Sequence, residues 1–191
     1  MGNHVCPWWL AYTFDNPLRA FFHRPDQIFA HVVKEGMTVA DIGCGMGYFS
    51  IGLAKKVKIK GRVIAVDIQK KMLEVLEKRA RNSGVFDIIQ THQCKEKEIG
   101  IPEPIDFALT FWMVHETTEK IQFLQQIHAI LRDSGSLLIA EPKFQVSSFQ
   151  FKKEIDIALN VGFRVKEEPK IAFSHSVLLE KAKDDSVNEV E

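Results

Sequence analysis

The residues from Asp41 to Gly47, D-I-G-C-G-M-G, constrain the fold of this chain more than any other stretch. The apolar run Met37 to Ile42 before them predicts a buried strand, and the apolar spacing from Phe49 to Ala54 predicts a helix that begins near Tyr48. Glycine has no Cβ, so a turn built from glycines lets the backbone come close to a ligand. The helix start behind the turn offers free N–H groups. The stretch therefore predicts a strand, turn and helix that cradle a nucleotide.

The spacing of the glycines discriminates between kinds of nucleotide site. A dinucleotide fingerprint, G-x-G-x-x-G, would place its third glycine at position 48, where this chain has Tyr48, so a nucleotide-dependent oxidoreductase is disfavoured. A phosphate-binding loop is also absent, because no Lys-Ser or Lys-Thr follows the glycines. An ordinary glycine-rich turn in an α/β domain remains the alternative.

A second acidic strand end argues against that alternative. The apolar run from Gly61 ends at Asp67, which lies 24 residues after Gly43. In related folds an acidic residue at about this separation binds the hydroxyls of a ribose. Packing alone does not explain two acidic strand ends on either side of one glycine turn.

The pattern D-x-G-x-G-x-G resembles the first motif of the class I S-adenosylmethionine-dependent methyltransferases. The resemblance implies S-adenosylmethionine as cofactor and S-adenosylhomocysteine as product. Asp41 would then help to hold the amino group of the methionine part, Gly43, Gly45 and Gly47 would allow close approach, and Asp67 would bind the ribose.

The resemblance and the order of elements imply an α/β fold: a Rossmann-like, doubly wound, seven-stranded sheet, mostly parallel with an antiparallel edge strand, and helices on both faces. A third strand is predicted at Phe86 to Thr91 and a fourth at Ile105 to Phe111. A glycine turn precedes the fifth strand, which ends near Pro142, and the last two strands form an antiparallel pair at one edge. Helices are predicted from Pro25 or Asp26 to Lys34, from Gln69 to Arg81, after a cap at Thr117 or Thr118, and from Phe149 to Asn160.

Size and composition predict one main domain. At 191 residues and 46% hydrophobic, the chain is long enough for one well-buried core and short for two. We expect an N-terminal aromatic helical lid over residues 1–35, a methyltransferase domain over residues 36–180 and a flexible tail over residues 181–191.

Charge, cysteines and hydropathy exclude some function classes. Lys plus Arg and Asp plus Glu both number 25, which predicts no broad attraction for nucleic acid. The three cysteines, Cys6, Cys44 and Cys94, lack C-x-x-C spacing, so neither a disulfide framework nor a metal site is predicted. No signal-peptide pattern and no apolar run of about 18 residues occurs, so a cytoplasmic location without a membrane span is expected.

The adenine end of the predicted cofactor site departs from the family pattern. In the resembling family, the loop after the third strand often carries an aspartate that contacts the adenine amino group. This chain has Gln93 and Cys94 there, so Gln93 would accept from the amine or Cys94 would pack on the ring. The predicted cofactor site also includes Ile68 and Phe111.

The residues after the fourth strand are the candidates for catalysis. In an open parallel sheet, ligands bind beyond the carboxyl ends of the strands, which places Trp112 to Glu116 near the transferred methyl group. His115 is the first candidate for a general base and Glu116 the second, if the acceptor holds a proton. The alternative is that both residues only begin the next helix.

The acceptor is predicted as a small molecule. Phe111 to Glu116 and Leu131 to Pro142 resemble the branch that includes the quinone-biosynthesis methyltransferases. The chain lacks the Asn- or Asp-Pro-Pro-aromatic sequence and the cysteine nucleophile of enzymes that methylate bases. Neither the acceptor atom nor the oligomeric state is predicted.

Four aromatic residues are expected at the acceptor: Trp8, Trp9, Tyr12 and Trp112. A hydrophobic lid on one sheet edge is the alternative for the N-terminal three. Two further alternatives stay open: a non-catalytic, cofactor-binding partner subunit of the same fold, and a thiol- or arsenic-directed transfer that uses Cys6 and Cys94.

Overall fold

A central sheet of seven strands organises the computed structural model, which describes residues 19–182. The strands are β1 (Thr38–Ile42), β2 (Arg62–Asp67), β3 (Ile89–Gln93), β4 (Ile105–Phe111), β5 (Leu131–Pro142), β6 (Phe163–Glu167) and β7 (Ser174–Lys181). Their order across the sheet is β3-β2-β1-β4-β5-β7-β6. The first five strands in this order, from β3 through β2, β1 and β4 to β5, pair in parallel. β7 pairs antiparallel with both β5 and β6. The predicted fold class and the antiparallel pair at one edge are confirmed.

Helices cover both faces of the sheet. They are α1 (Arg19–Phe22), α2 (Pro25–Ile28), α3 (Tyr48–Val57), α4 (Lys70–Asn82), α5 (Lys120–Ile130) and α6 (Ser148–Val161), with short 3₁₀ turns at Phe86–Ile88 and Val114–Glu116. Buried residues of α3 and α4 pack on one face and those of α5 and α6 on the other. Val39 points to the first face and Ala40 to the second, as the two-residue period of a strand requires.

The strand order reverses at β1, which positions the site. β1 pairs with β2 on one side and with β4 on the other, and the chain winds outward from it in both directions. A crevice therefore opens beyond the carboxyl ends of β1 and β4, where ligands bind in open α/β sheets. The glycine stretch follows β1, and residues 112–116 follow β4.

Three predicted element boundaries are wrong. The third strand begins at Ile89 and not at Phe86, because it pairs with β2 only from Val63 onward and a 3₁₀ turn fills the preceding residues. The second helix ends at Ile28, and only turns follow it, as far as residue 32. An apolar run alone does not locate where a strand or helix begins and ends.

The third wrong boundary is the start of α5. Its N-cap is Glu119, without a side-chain cap, because the hydroxyl of Thr117 instead donates to the carbonyl of Val114 in the preceding 3₁₀ turn. The turn expected before the fifth strand is an irregularity within β5, where pairing with β4 moves from Ile105–Leu131 to Phe107–Ser136.

The segment before β1 contributes to the core through Phe29 and Val33, both buried. The ring of Phe29 makes edge contacts with Phe49 and Phe107. The predicted acceptor residues Trp8, Trp9 and Tyr12, together with Cys6, lie outside the described residues, so the lid and tail boundaries stay predictions. No helix within residues 19–182 has the length and apolar character that crossing a bilayer requires.

Candidate active site

A cavity of about 620 Å³ opens at the carboxyl ends of β1, β2 and β4, a volume within the range of roughly 300–1,000 Å³ that is common for ligand sites. Nine of the predicted residues line it: Asp41, Gly43, Gly45, Asp67, Ile68, Cys94, Phe111, Trp112 and Glu116. Three other predicted residues within the described range, Gly47, Gln93 and His115, are not among its lining residues. The structure therefore brings together most of the predicted cofactor site and only part of the predicted catalytic site.

Asp41 lies buried on the floor of this cavity, near the end of β1. Its Oδ2 accepts a hydrogen bond of 2.6 Å from the hydroxyl of Ser50, which is buried in the first turn of α3. Burial raises the pKa of Asp41 to about 6, against the lowering effects of the Ser50 bond and the charge of Arg19. A buried carboxylate that ionises near neutrality gains from a cationic partner, such as an ammonium group.

Asp67 holds the glycine turn from the end of β2. Its Oδ2 accepts from the backbone N–H of Gly45 at 2.9 Å, and its Oδ1 accepts from that of Gln69 at 2.8 Å. Burial raises the pKa of Asp67 although these backbone N–H groups oppose the shift. Each carboxylate oxygen has two acceptor positions, so both oxygens can also accept from the hydroxyls of a ligand.

Gly45 and Gly47 are required to be glycine for different structural reasons. A Cβ on Gly45 would meet no atom within 4 Å, so this residue faces open space inside the cavity wall. A Cβ on Gly47 would lie 2.4 Å from Cγ of Leu76, so this glycine is required where α3 packs against α4. Of these two, only Gly45 fits close approach of a ligand.

Cys94 lines the β3 end of the cavity. Its backbone N–H donates to the carbonyl of Asp67, and its partly buried thiol lines the cavity. Burial raises the pKa of Cys94 to about 11, so the thiol is neutral near pH 7 and suits packing on a ring better than nucleophilic attack. The exposed Gln93 side chain donates to the carbonyl of Ile68 instead.

An aromatic wall forms the β4 side of the cavity. The ring centroids of Phe49 and Phe111 are 4.3 Å apart, and those of Phe111 and Trp112 are 5.5 Å apart. Trp112 has a φ of 60°, a left-handed conformation that is rare for a bulky residue. Its Nε1–H donates to Oγ of Ser174, which fixes the indole against β7.

His115 turns away from the cavity toward a buried carboxylate. Glu141, at the end of β5, is fully buried and accepts hydrogen bonds from the backbone N–H groups of Met113 and Val114 as well as that of His115. Burial alone would lower the pKa of His115, but the hydrogen bond to Glu141 and its charge raise that pKa above its usual value.

Glu116 lines the cavity one residue further on. Lys120, the first residue of α5, donates to Oε1 of the buried Glu154 in α6. Burial raises the pKa of Glu154. The segment after β4 thus presents Trp112 and Glu116 to the cavity and directs His115 toward the buried Glu141.

Three residues of the site were missed from the sequence: Arg19, Ser50 and Glu141. Glu141 carries a signal that could have found it, because it is an acidic residue at a strand end, like Asp41 and Asp67. Arg19 carries no such signal, because it reaches the cavity through packing between distant parts of the chain, and no short motif marks Ser50. Within residues 19–182 no group of three or more His, Cys, Asp or Glu side chains could hold a metal ion.

Comparisons with known proteins point to one family. A family model described as a methyltransferase domain matches residues 33–186. The ubiquinone/menaquinone biosynthesis C-methyltransferase UbiE of Wigglesworthia glossinidia brevipalpis is 29% identical over 129 residues, which cover 67% of this chain and 51% of the relative. This chain therefore spans about half the length of that relative.

Solved structures share the fold. A SAM-dependent methyltransferase from Aquifex aeolicus superposes with a TM-score of 0.82 at 24% identity, covering 93% of this chain and 100% of the other. The [4+2]-cyclase SpnF superposes with a TM-score of 0.70 at 12% identity, covering 83% of this chain and 80% of the other. At these identities the likeness concerns the fold alone, and the cyclase shows that the fold accompanies more than one activity.

Proposed function

This chain belongs to the methyltransferase domain family, and from that premise we propose that it transfers the methyl group of S-adenosylmethionine to a small-molecule acceptor. The observation that carries the proposal is the cavity at the switch point of the sheet, which Asp41, the open face of Gly45 and Asp67 line together. Nothing in residues 19–182 or in the comparisons favours a non-catalytic partner subunit.

The residues of the cavity fit the cofactor that the family uses. Asp67 would accept from the ribose hydroxyls through the acceptor positions that its backbone bonds leave. Asp41 would accept from the ammonium of the methionine part. Ile68 and Cys94 would pack against the adenine at the β3 end of the cavity. Gly45 would allow the cofactor to approach the backbone closely, because no side chain stands in front of it.

The aromatic wall supplies what a methyl transfer needs from its surroundings. When bound, S-adenosylmethionine supplies a methyl group on a positively charged sulfur that leaves as a neutral thioether. Aromatic rings attract a nearby cation, and Phe111 and Trp112, which line that part of the cavity, would exclude water from the bound methyl group. We place the acceptor against Trp112, and we propose that Trp8, Trp9 and Tyr12 of the N-terminal lid cover it.

Glu116 is the general base that the geometry favours. It lines the cavity, whereas the ring of His115 is hydrogen-bonded to Glu141. A base is required only where the acceptor carries a proton that must leave. The name of the relative from Wigglesworthia makes a carbon acceptor the first to test, and removing a proton from such an acceptor would be the role of the Glu116 carboxylate. His115 would act indirectly, by holding the segment that carries Glu116.

Binding of the product S-adenosylhomocysteine, measured by calorimetry, is the first test. The native chain is expected to bind it with a micromolar dissociation constant, and Asp67→Asn is expected to weaken binding about tenfold or more, by loss of charge-assisted hydrogen bonds. Asp87→Asn is the matched control, because Asp87 is an exposed aspartate in the 3₁₀ turn before β3. Failure of the native chain to bind would overturn the proposal.

Turnover is tested next with radiolabelled methyl donor and a panel of acceptors that offer carbon, oxygen, nitrogen or sulfur. Glu116→Gln should abolish transfer to a carbon acceptor and leave product binding intact. Nucleic acid belongs in the panel as a negative control, since the proposal excludes it. The cytoplasmic location stays a prediction, to be checked by fractionation of cells that express the full chain.

A further inference from the structure

Arg19, which the predicted site does not include, places a guanidinium in the same cavity as Asp41. Its Cζ lies 4.9 Å from the ring centroids of both Tyr48 and Phe49, and 5.6 Å from that of Phe111. Tyr48 and Phe49 are the first two residues of α3. The guanidinium is thus held beside the start of this helix by aromatic rings contributed by two different elements.

The charges of Arg19 and Asp41 line the same cavity and interact electrostatically. The charge of Arg19 is among the influences that lower the pKa of Asp41 against the larger effect of burial. The positive end of the α3 dipole lies on the same side. This cavity therefore offers one carboxylate, for a cation, and a neighbouring region of positive potential, for an anion.

We propose that Arg19 binds the carboxylate of the methionine part of the cofactor while Asp41 binds its ammonium. An α-amino acid carries both charges on adjacent atoms, and an Arg fork matches a carboxylate with two parallel hydrogen bonds. Aromatic rings contact the face of a guanidinium, whereas these hydrogen bonds lie in its plane, so the two interactions are compatible. The inference rests on the proposed function, because it assigns a residue to the cofactor of that reaction.

Binding of the carboxylate by Arg19 would also link the cofactor to the segment that precedes the sheet. The helix of Arg19, α1, precedes the main sheet in the chain and is followed by α2 and the buried Phe29. A carboxylate bound by Arg19 would therefore connect the cofactor to the N-terminal segment as well as to β1. Loss of the carboxylate should remove this connection and leave the contacts of Asp41 and Asp67 unchanged.

The test compares two ligands that differ only in the carboxylate: S-adenosylhomocysteine and its decarboxylated analogue. Arg19→Gln is expected to weaken binding of S-adenosylhomocysteine about tenfold or more, as expected for a charge-assisted bidentate contact, and to leave binding of the analogue within about twofold. Arg19→Lys keeps the charge without the fork and should give an intermediate loss. Asp41→Asn should weaken both ligands, because both retain the ammonium.

Arg24→Gln is the matched control, since Arg24 is exposed and pairs with Asp26 outside the cavity. Equal losses for both ligands in Arg19→Gln would show that Arg19 only supports the aromatic wall, and would overturn the inference. The same holds if neither ligand is affected. If the native chain binds both ligands equally well, the carboxylate has no partner and the inference fails while the proposed function stands. If the native chain binds neither ligand, both fail.

Discussion

Nδ1 of His115 lies 2.5 Å from Oε2 of Glu141, across the gap between the segment after β4 and the end of β5. The other oxygen of Glu141 accepts from the backbone N–H groups of Val114 at 2.9 Å and of Met113 at 3.2 Å. One buried carboxylate thus fixes the backbone that presents Trp112 and Glu116 to the cavity. The relationship makes Glu141 a positioning residue for the proposed reaction.

Removing that carboxylate should affect stability and turnover together. Glu141→Ala leaves buried N–H groups without an acceptor and His115 without its partner, so we expect a loss of roughly 3–5 kcal/mol in the free energy of unfolding. Glu141→Gln keeps one acceptor oxygen and should lose less, about 1–2 kcal/mol.

In the Gln variant, kcat should fall more than the affinity for S-adenosylhomocysteine, because the cofactor residues on β1 and β2 are untouched. Denaturant unfolding measures the free energy of unfolding, steady-state kinetics measures kcat, and calorimetry measures the affinity for S-adenosylhomocysteine. Glu168→Gln, an exposed glutamate beyond β6, is the control. Equal losses of kcat and cofactor affinity would contradict a positioning role confined to the segment after β4.

Substitutions of Gly47 and Gly45 should affect different properties, the first mainly stability and the second mainly cofactor binding. Gly47→Ala places a Cβ 2.4 Å from Leu76 at a φ of 81°, so α3 and α4 must move apart. We expect it to lose about 2–4 kcal/mol in the free energy of unfolding, from left-handed strain and overpacking together.

Gly45→Ala has the strain without the clash, since its Cβ would meet no atom within 4 Å. We expect it to lose only about 1–2 kcal/mol and to weaken cofactor binding much more than that loss of stability explains. Unfolding curves and calorimetry on the two variants give the comparison. Gly84→Ala, also at positive φ with no atom within 4 Å but beyond the C-terminal end of α4, measures the strain alone. Normal cofactor affinity in Gly45→Ala would contradict close approach of the ligand at this residue.

Most of the cofactor half of the site could be predicted from the sequence, because its signals are local. A strand end, a turn and a helix start lie within ten residues from Asp41 to Ser50, and Asp67 ends the next strand. Each of these positions depends on the backbone more than on distant packing. Even here the sequence could not tell Gly45 from Gly47, since the difference lies in what Leu76 contacts.

The acceptor half could not be predicted to the same depth. His115 and Glu116 are neighbours in sequence, but the 3₁₀ turn at Val114–Glu116 directs them to opposite sides, and it is Glu141 on another strand that fixes this turn. Arg19 enters the cavity from a helix before the sheet. Such positions follow from contacts between elements distant in sequence, for which no short motif exists.

Cofactor affinity should depend on pH through Asp41. Its pKa is raised to about 6 by burial, so the carboxyl is protonated below that value and must release its proton before it can accept from an ammonium. Because binding lowers this pKa, affinity should rise with pH up to about 6, by at most about tenfold per pH unit, and level off above it.

Calorimetry with S-adenosylhomocysteine in buffers of different ionisation enthalpy would detect the released proton. The pKa of Asp67 is raised as well, so the informative quantity is the difference between the native chain and Asp41→Asn. That variant should bind weakly at all pH values and show a smaller pH dependence. An unchanged pH dependence in Asp41→Asn would assign the titration to another group.

Trp112 should discriminate between the acceptor and the cofactor. Its φ of 60° costs roughly 1–2 kcal/mol relative to a residue that adopts this conformation freely. A role of the indole ring in the cavity would explain why a tryptophan occupies this strained position. Trp112→Phe keeps an aromatic ring on the wall and removes the hydrogen bond to Ser174. We expect a loss of about 1 kcal/mol in stability, a several-fold higher KM for the acceptor and an unchanged affinity for S-adenosylhomocysteine.

Ser174→Ala tests the hydrogen bond separately from the ring, because it removes the bond to Nε1 of Trp112 and leaves the indole in place. It also removes the bond that the Ser174 hydroxyl donates to the carbonyl of Ala172. If the indole itself contacts the acceptor, Ser174→Ala should lose stability as Trp112→Phe does but keep the native KM for the acceptor. A raised KM in Ser174→Ala would mean that the bond, which holds the ring against β7, sets the acceptor position. Weaker binding of S-adenosylhomocysteine in Trp112→Phe would instead place the indole at the cofactor, and the acceptor site would then have to lie along the Glu116 and Gln122 side of the cavity.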